Sequence, residues 1–254
     1  MKHLLKIFII MILINQLQAQ TLKISQVKNF EHQLDDVMEL IDTNEVKLKL
    51  IEVEKQFQIE SSEINKVRLG IIYHETALNL SFFPKTEFKG YAKKSYDVLT
   101  ELYTSKSTTK ELMPFISSYR ASSLSLISAE TKKLGLLRHA FVLFKEANEL
   151  YSDASYLPAF LRGSVAENLP WYFYRKRKAA KNDFQTIIAK QEKNTDYANW
   201  KIMSFTYWAW ANQHQSKKHT TQAILYCDKA ISIDPDHIAG RKKAEDLKIK
   251  LMRK

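Results

Sequence analysis

The chain has 254 residues, a net charge of +11 and 45% hydrophobic residues, with only five Gly and five Pro. That apolar fraction excludes a disordered chain, and so few Gly and Pro leave an all-β fold short of turn residues. The single cysteine, Cys227, excludes an intramolecular disulfide, so packing alone must hold the fold together.

Residues 1–19 read as a secretory signal peptide. Lys2 and Lys6 give a basic start, Ile7 to Ile14 is an unbroken apolar run, and Leu17 and Ala19 stand three and one positions before a cut ahead of Gln20. The run falls short of the roughly 20 apolar residues of a spanning helix. No Cys lies near the cut, so the expected product is periplasmic or secreted and not a lipoprotein. Residues 20–254 are then expected to form one helical domain.

Leu22, Ile24, Val27, Phe30, Leu34 and Val37 recur in steps of three and four, predicting a helix over 22–40. A second helix runs through Leu48, Ile51, Val53 and Phe57, with Thr43-Asn44 as turn and cap. Residues 63–80 predict a third helix, with Pro84 ending it, and 88–104 its partner. A helix through Leu124, Ile127 and Ser128 is broken by Gly135, and the next carries Ala140, Phe144 and Ala147. Ser152, Asp153 and Ser155 are placed to cap a helix starting near Pro158, a position where proline is tolerated. Pro170 interrupts, and another helix carries Ala180, Phe184 and Ile187. Residues 204–237 form a helix pair, and 238–252 a closing helix with Ile238, Ala244, Leu247 and Leu251 on its apolar side.

Within 204–237, large Tyr207, Trp210 and Cys227 alternate with small Ala211, Ala223 and Ala230, and Pro235 closes the unit. This resembles a tetratricopeptide repeat (TPR), a two-helix hairpin of about 34 residues. Leu69-Gly70 with Tyr73 echoes its first helix. Ala92–Tyr96–Leu99, Ala140–Phe144–Ala147 and Ala180–Phe184–Ile187 echo the spacing of Ala223–Cys227–Ala230. One such hairpin hides its apolar face only by stacking on neighbours. The resemblance therefore implies an all-α fold: a right-handed α-solenoid of antiparallel TPR-like hairpins, with about 10–11 helices. Arg162, Asn168 and Pro170, followed by Phe173 and Asp183, also resemble a stretch of uncharacterised exported bacterial proteins of repeat type. That likeness spans one hairpin and brings no function with it.

Signals for chemistry are sparse. His74-Glu75 begins like a zinc-protease motif, but position 78 is Leu where the second His belongs. No His or Cys stands at ligand spacing, so no metal or cofactor is expected. Phosphate-cradling glycine loops and a G-x-S-x-G elbow are missing from the sequence. Glu31, Asp35 and Asp36, and Asp234 and Asp236, read as caps and solvated faces.

Two segments carry binding expectations. The TPR resemblance places Phe205, Trp208, Asn212 and Gln215 on an inner groove that would take a peptide or protein, with Arg162, Asn168 and Trp171 as further contacts. The run Arg175, Lys176, Arg177 and Lys178 follows Trp171, Tyr172, Phe173 and Tyr174, a pattern suited to an anionic lipid or glycan of the envelope. Nucleic acid is a poor match for an exported chain. The leading expectation is a non-catalytic exported scaffold for an unidentified protein or peptide. The alternative is the envelope-associated surface binder, and behind it a hydrolase with a dispersed site.

Overall fold

A computed structural model describes residues 22–253. The expected signal segment, residues 1–19, lies outside the described residues. Among the described residues there are helices and no strands. In chain order they are α1 (Ile24–Leu34), α2 (Thr43–Ile59), α3 (Glu63–Asn79), α4 (Tyr91–Thr104), α5 (Met113–Thr131), α6 (Leu134–Tyr151), α7 (Leu157–Glu167), α8 (Tyr174–Lys193), α9 (Trp200–Gln213), α10 (Thr220–Ile233) and α11 (Arg241–Met252). A single helical turn, Lys85–Phe88, lies between α3 and α4.

Local chemistry sets the boundaries. Asp42, not Thr43-Asn44, caps α2: its Oδ1 accepts from the backbone N–H groups of Asn44 and Glu45, both at 2.9 Å. Asn199 caps α9 in the same way, accepting from Ile202 N–H at 3.0 Å. Pro114 and Pro158 sit in the first turns of α5 and α7, where a missing N–H leaves no gap in the ladder. Gly135 does not break a helix; it lies inside α6. Lys132 ends α5 instead, by taking a left-handed φ of 59°. The first helix is also shorter than its periodicity predicts. It stops at Leu34, and Glu39 turns the chain with a φ of 57°.

Each helix from α2 onward packs on the next, and α3, α5, α7, α9 and α11 also touch in that order. The small residues explain how backbones come this close. Ala92, Ala140, Ala180 and Ala223 stand at the same register of α4, α6, α8 and α10 and are 0–1% exposed. Leu99, Ala147, Ile187 and Ala230, seven positions further on, are equally hidden. At the α3–α4 crossing a Cβ on Gly70 would lie 2.6 Å from Leu99, and Ser95 Oγ donates to Gly70 O at 2.6 Å. Helix α5 is enclosed by α3, α4, α6 and α7. Three of its buried serines help make this possible: Ser118, Ser123 and Ser125 donate to carbonyls of their own helix at 2.6–2.7 Å, which satisfies those hydroxyls inside the helix.

The segment from α1 to Ile41 does not extend the row. It crosses the odd-numbered helices as a strap. Lys23 N–H donates to Glu111 just ahead of α5, and Lys28 Nζ to Tyr197 O just ahead of α9. Arg68 of α3 grips Asp36 with two nitrogens, and Asn79 donates to Leu40 O at 2.7 Å. Val27, Leu34, Val37, Met38 and Leu40 are buried under it.

Candidate functional site

Helix α9 carries Lys201, Phe205, Trp208 and Asn212 at steps of three and four, and Gln215 follows just past its end. Phe205 and Trp208 are half-buried with ring centroids 5.1 Å apart, and Phe205 meets Phe160 of α7 and Phe184 of α8 edge-on. Lys243 of α11 holds its ammonium 4.6 Å from the Trp208 ring centre, and burial pushes its pKa down. Asn212 and Gln213 both donate to Glu167 at the end of α7, at 3.0 and 2.5 Å. Gln215 donates to the Asn212 carbonyls at 3.0 Å. Phe205 packs on α7 and α8 and Asn212 is tied to Glu167, while Trp208 is half-buried beneath the Lys243 ammonium.

The other residues expected to join this site stand in different settings. Arg162 is engaged by Asp183, with Nε and Nη2 donating at 3.0 and 2.5 Å. Burial raises the Asp183 carboxyl, and Arg162 works against that rise. Arg162 and Asp183, the first and last residues of the likeness to exported repeat proteins, therefore meet as a structural pair. Asn168 is exposed and donates back to Ser164 O at the end of α7. Trp171 is 80% exposed and lies off the α9 face, in the turn before α8. In the basic run, Arg175 and Lys178 are exposed, Arg177 approaches Glu167 at 3.7 Å, and Lys176 Nζ lies 4.4 Å from the Phe141 ring centre.

A buried polar cluster under the strap escaped the sequence reading. His74 Nε2 meets Ser122 Oγ at 2.7 Å and its Nδ1 meets Glu75 Oε1 at 3.1 Å. This is the contact order of a serine–histidine–carboxylate relay. All three side chains are 1–3% exposed, so here the trio bonds α3 to α5 and is closed to substrate. The Tyr119 ring packs edge-on against His74 at 5.0 Å, and its buried hydroxyl faces Glu75. Burial, and then the charges of Glu75 and Glu39, push that phenol far up.

Glu39 adds a second carboxyl to the cluster. Its Oε1 is shut off from solvent and without a hydrogen-bond partner among the described residues. Burial, followed by the nearby Glu75, holds this carboxyl well above the usual range, with Lys201 opposing. Glu31 is also buried, contrary to its reading as part of a solvated face, because α1 turns it inward beside Lys28. Asp234 is buried as well and accepts from the backbone of Ile238, Ala239 and Arg241, shaping the turn into α11. Only the His74-Glu75 pair hinted at this cluster; Glu39 and Tyr119 give no local signal.

Among the described residues, no group of three or more His, Cys, Asp or Glu could hold a metal ion, and no helix is long and apolar enough to cross a membrane. No protein-family model, curated protein or solved structure matches this chain.

Proposed function

We propose that the chain is an exported, non-catalytic scaffold: a right-handed TPR-like α-solenoid that holds a peptide or protein segment against its odd-numbered helices. The observation that carries this reading is the shared register of α4, α6, α8 and α10, whose small residues are all buried while alternate helices touch. Such a row presents a long face built from one helix of each pair. The strap supplies an internal precedent, since a helix and its following turn already lie across α3, α7 and the approaches to α5 and α9. Beyond the strap, Trp208 is half-buried with Lys243 on its ring. A half-buried Trp is the kind of anchor that dominates peptide recognition.

The test is partner capture from an envelope extract with tagged protein, comparing wild type and Trp208→Ala. Loss of the aromatic anchor should lower recovery of a salt-resistant partner about tenfold. Equal recovery would overturn the assignment of Trp208 as the anchor.

A further inference from the structure

We infer that one edge of the helix row docks on an anionic lipid surface, with its exposed aromatics at the headgroup level and its cations against the headgroups. The inference extends the surface reading of the Trp171–Lys178 segment and is independent of the Trp208 face.

Topology brings the edge together. Neighbouring helices run antiparallel, so every second connection lies on the same side. Contacts across the connections bear this out. Lys47 at the start of α2 pairs with Glu87 at 2.9 Å. Gly90 N–H, before α4, points to Glu130 at the end of α5. Lys176 at the start of α8 covers Phe141 near the start of α6. Lys181 donates to Gln213 O at the end of α9 at 2.8 Å. Four loops thus share one edge: α3–α4, α5–α6, α7–α8 and α9–α10.

These loops have one character. The first shows Phe82, 92% exposed, with Phe83, Lys85 and Lys89 beside it. The second is Lys132-Lys133 followed by exposed Leu134. The third has Trp171 at 80%, Tyr172 at 58% and Tyr174 at 63%, then Arg175 and Lys178. The fourth has exposed Lys217 and Lys218. Of the acids nearby, Glu87 pairs with Lys47, Glu130 accepts from Gly90 and Asp42 caps α2, while Glu45 is exposed. The opposite edge is mixed: Glu60, Asp196 and Asp236 are exposed there beside Lys106, Lys110, Lys193 and Lys242, Asp153 is paired with Lys190, and none of its loops shows a bare Phe or Trp.

Charge scattered for solubility alone would not place bare Phe and Trp among the cations of one edge. Trp and Tyr favour the membrane–water boundary because the ring is apolar and its N–H or O–H finds polar partners. Lys and Arg beside them gain from the negative surface potential of anionic lipid, an attraction that salt screens. Tips spread over four loops suit a broad flat surface better than a single bound chain.

The test is co-sedimentation of the purified protein with vesicles of equimolar phosphatidylglycerol and phosphatidylcholine, or of phosphatidylcholine alone. The anionic vesicles should bind at least about tenfold more tightly, and the excess should vanish at high salt. Trp171→Ala with Tyr174→Ala, and separately Lys132→Gln with Lys133→Gln, should each weaken binding several-fold, with far-ultraviolet circular dichroism unchanged. Lys106→Gln with Lys110→Gln, on the opposite edge, should bind as wild type does. Equal affinity for both vesicle types, or equal losses from both edges, would overturn the inference. Trp208→Ala should keep vesicle binding, so failure here and failure of the scaffold reading are told apart.

Discussion

Arg162 holds Asp183 through two nitrogens across the α7–α8 crossing, and the carboxylate is only 3% exposed. Removing the arginine leaves a buried charge with its compensation gone. We expect Arg162→Ala to lose about 3 kcal/mol of stability, read from urea unfolding. Its stability should also fall as pH rises above the ordinary Asp value of 3.8, because the buried acid must then ionise without a partner. Replacing both residues with apolar ones of similar size should recover most of the loss.

Glu39 combines a left-handed φ of 57° with a sequestered, unpartnered oxygen and a like-charged neighbour in Glu75. Each feature is unfavourable. Glu39→Gly relieves the backbone and removes the acid, and should stabilise the protein by about 1 kcal/mol or more. The raised carboxyl fixes the sign of the pH dependence. The folded state keeps the proton that the unfolded state releases above pH 4.5, so wild type loses stability as pH climbs from there through the raised value. Thermal melts of Glu39→Gln across pH should show that slope reduced.

Gly240 sits against α9. A Cβ there would fall 2.7 Å from the Ser204 carbonyl carbon, and backbone does not yield as a side-chain tip does. The same spot is bonded twice, from Gly240 N–H to Ser204 Oγ and from Ser204 Oγ to Ala230 O, both at 3.0 Å. Gly240→Ala should therefore push α11 away and destabilise by about 2 kcal/mol, measured by denaturant unfolding.

Cys227 is buried in α10, and burial pushes its thiol up to about 11. A thiol reacts as its thiolate, so labelling by a disulfide reagent at pH 8 should be far slower in the native protein than in urea. Rapid native labelling would show that α10 opens readily.

The helices and their crossings were legible because the information is local. Ala140–Phe144–Ala147 lies within two turns of one helix, and burial of all three follows from their spacing alone. Helix ends were less legible. Gly135 looked like a breaker, yet Lys132 takes the left-handed turn, a conformation no residue-type rule assigns to lysine. The strap was illegible as a strap. Its apolar period predicts a helix but says nothing about which surface that helix covers, and Glu39 joins Glu75 and Tyr119 only after the chain folds back. Of the residues expected to contact a partner, Asn212 is tied to Glu167 and Arg162 to Asp183, partners from other helices that spacing along one helix does not name.

Lys28 reaches Tyr197 across 169 positions of sequence. A row of helices that touch only their neighbours frays from whichever terminus is weaker. Here the first helix is fastened to the approach of the ninth, so α1 cannot loosen without disturbing the last third of the chain. Amides of α1 and α9 should accordingly exchange with solvent at matching rates, like two ends of a buckled belt.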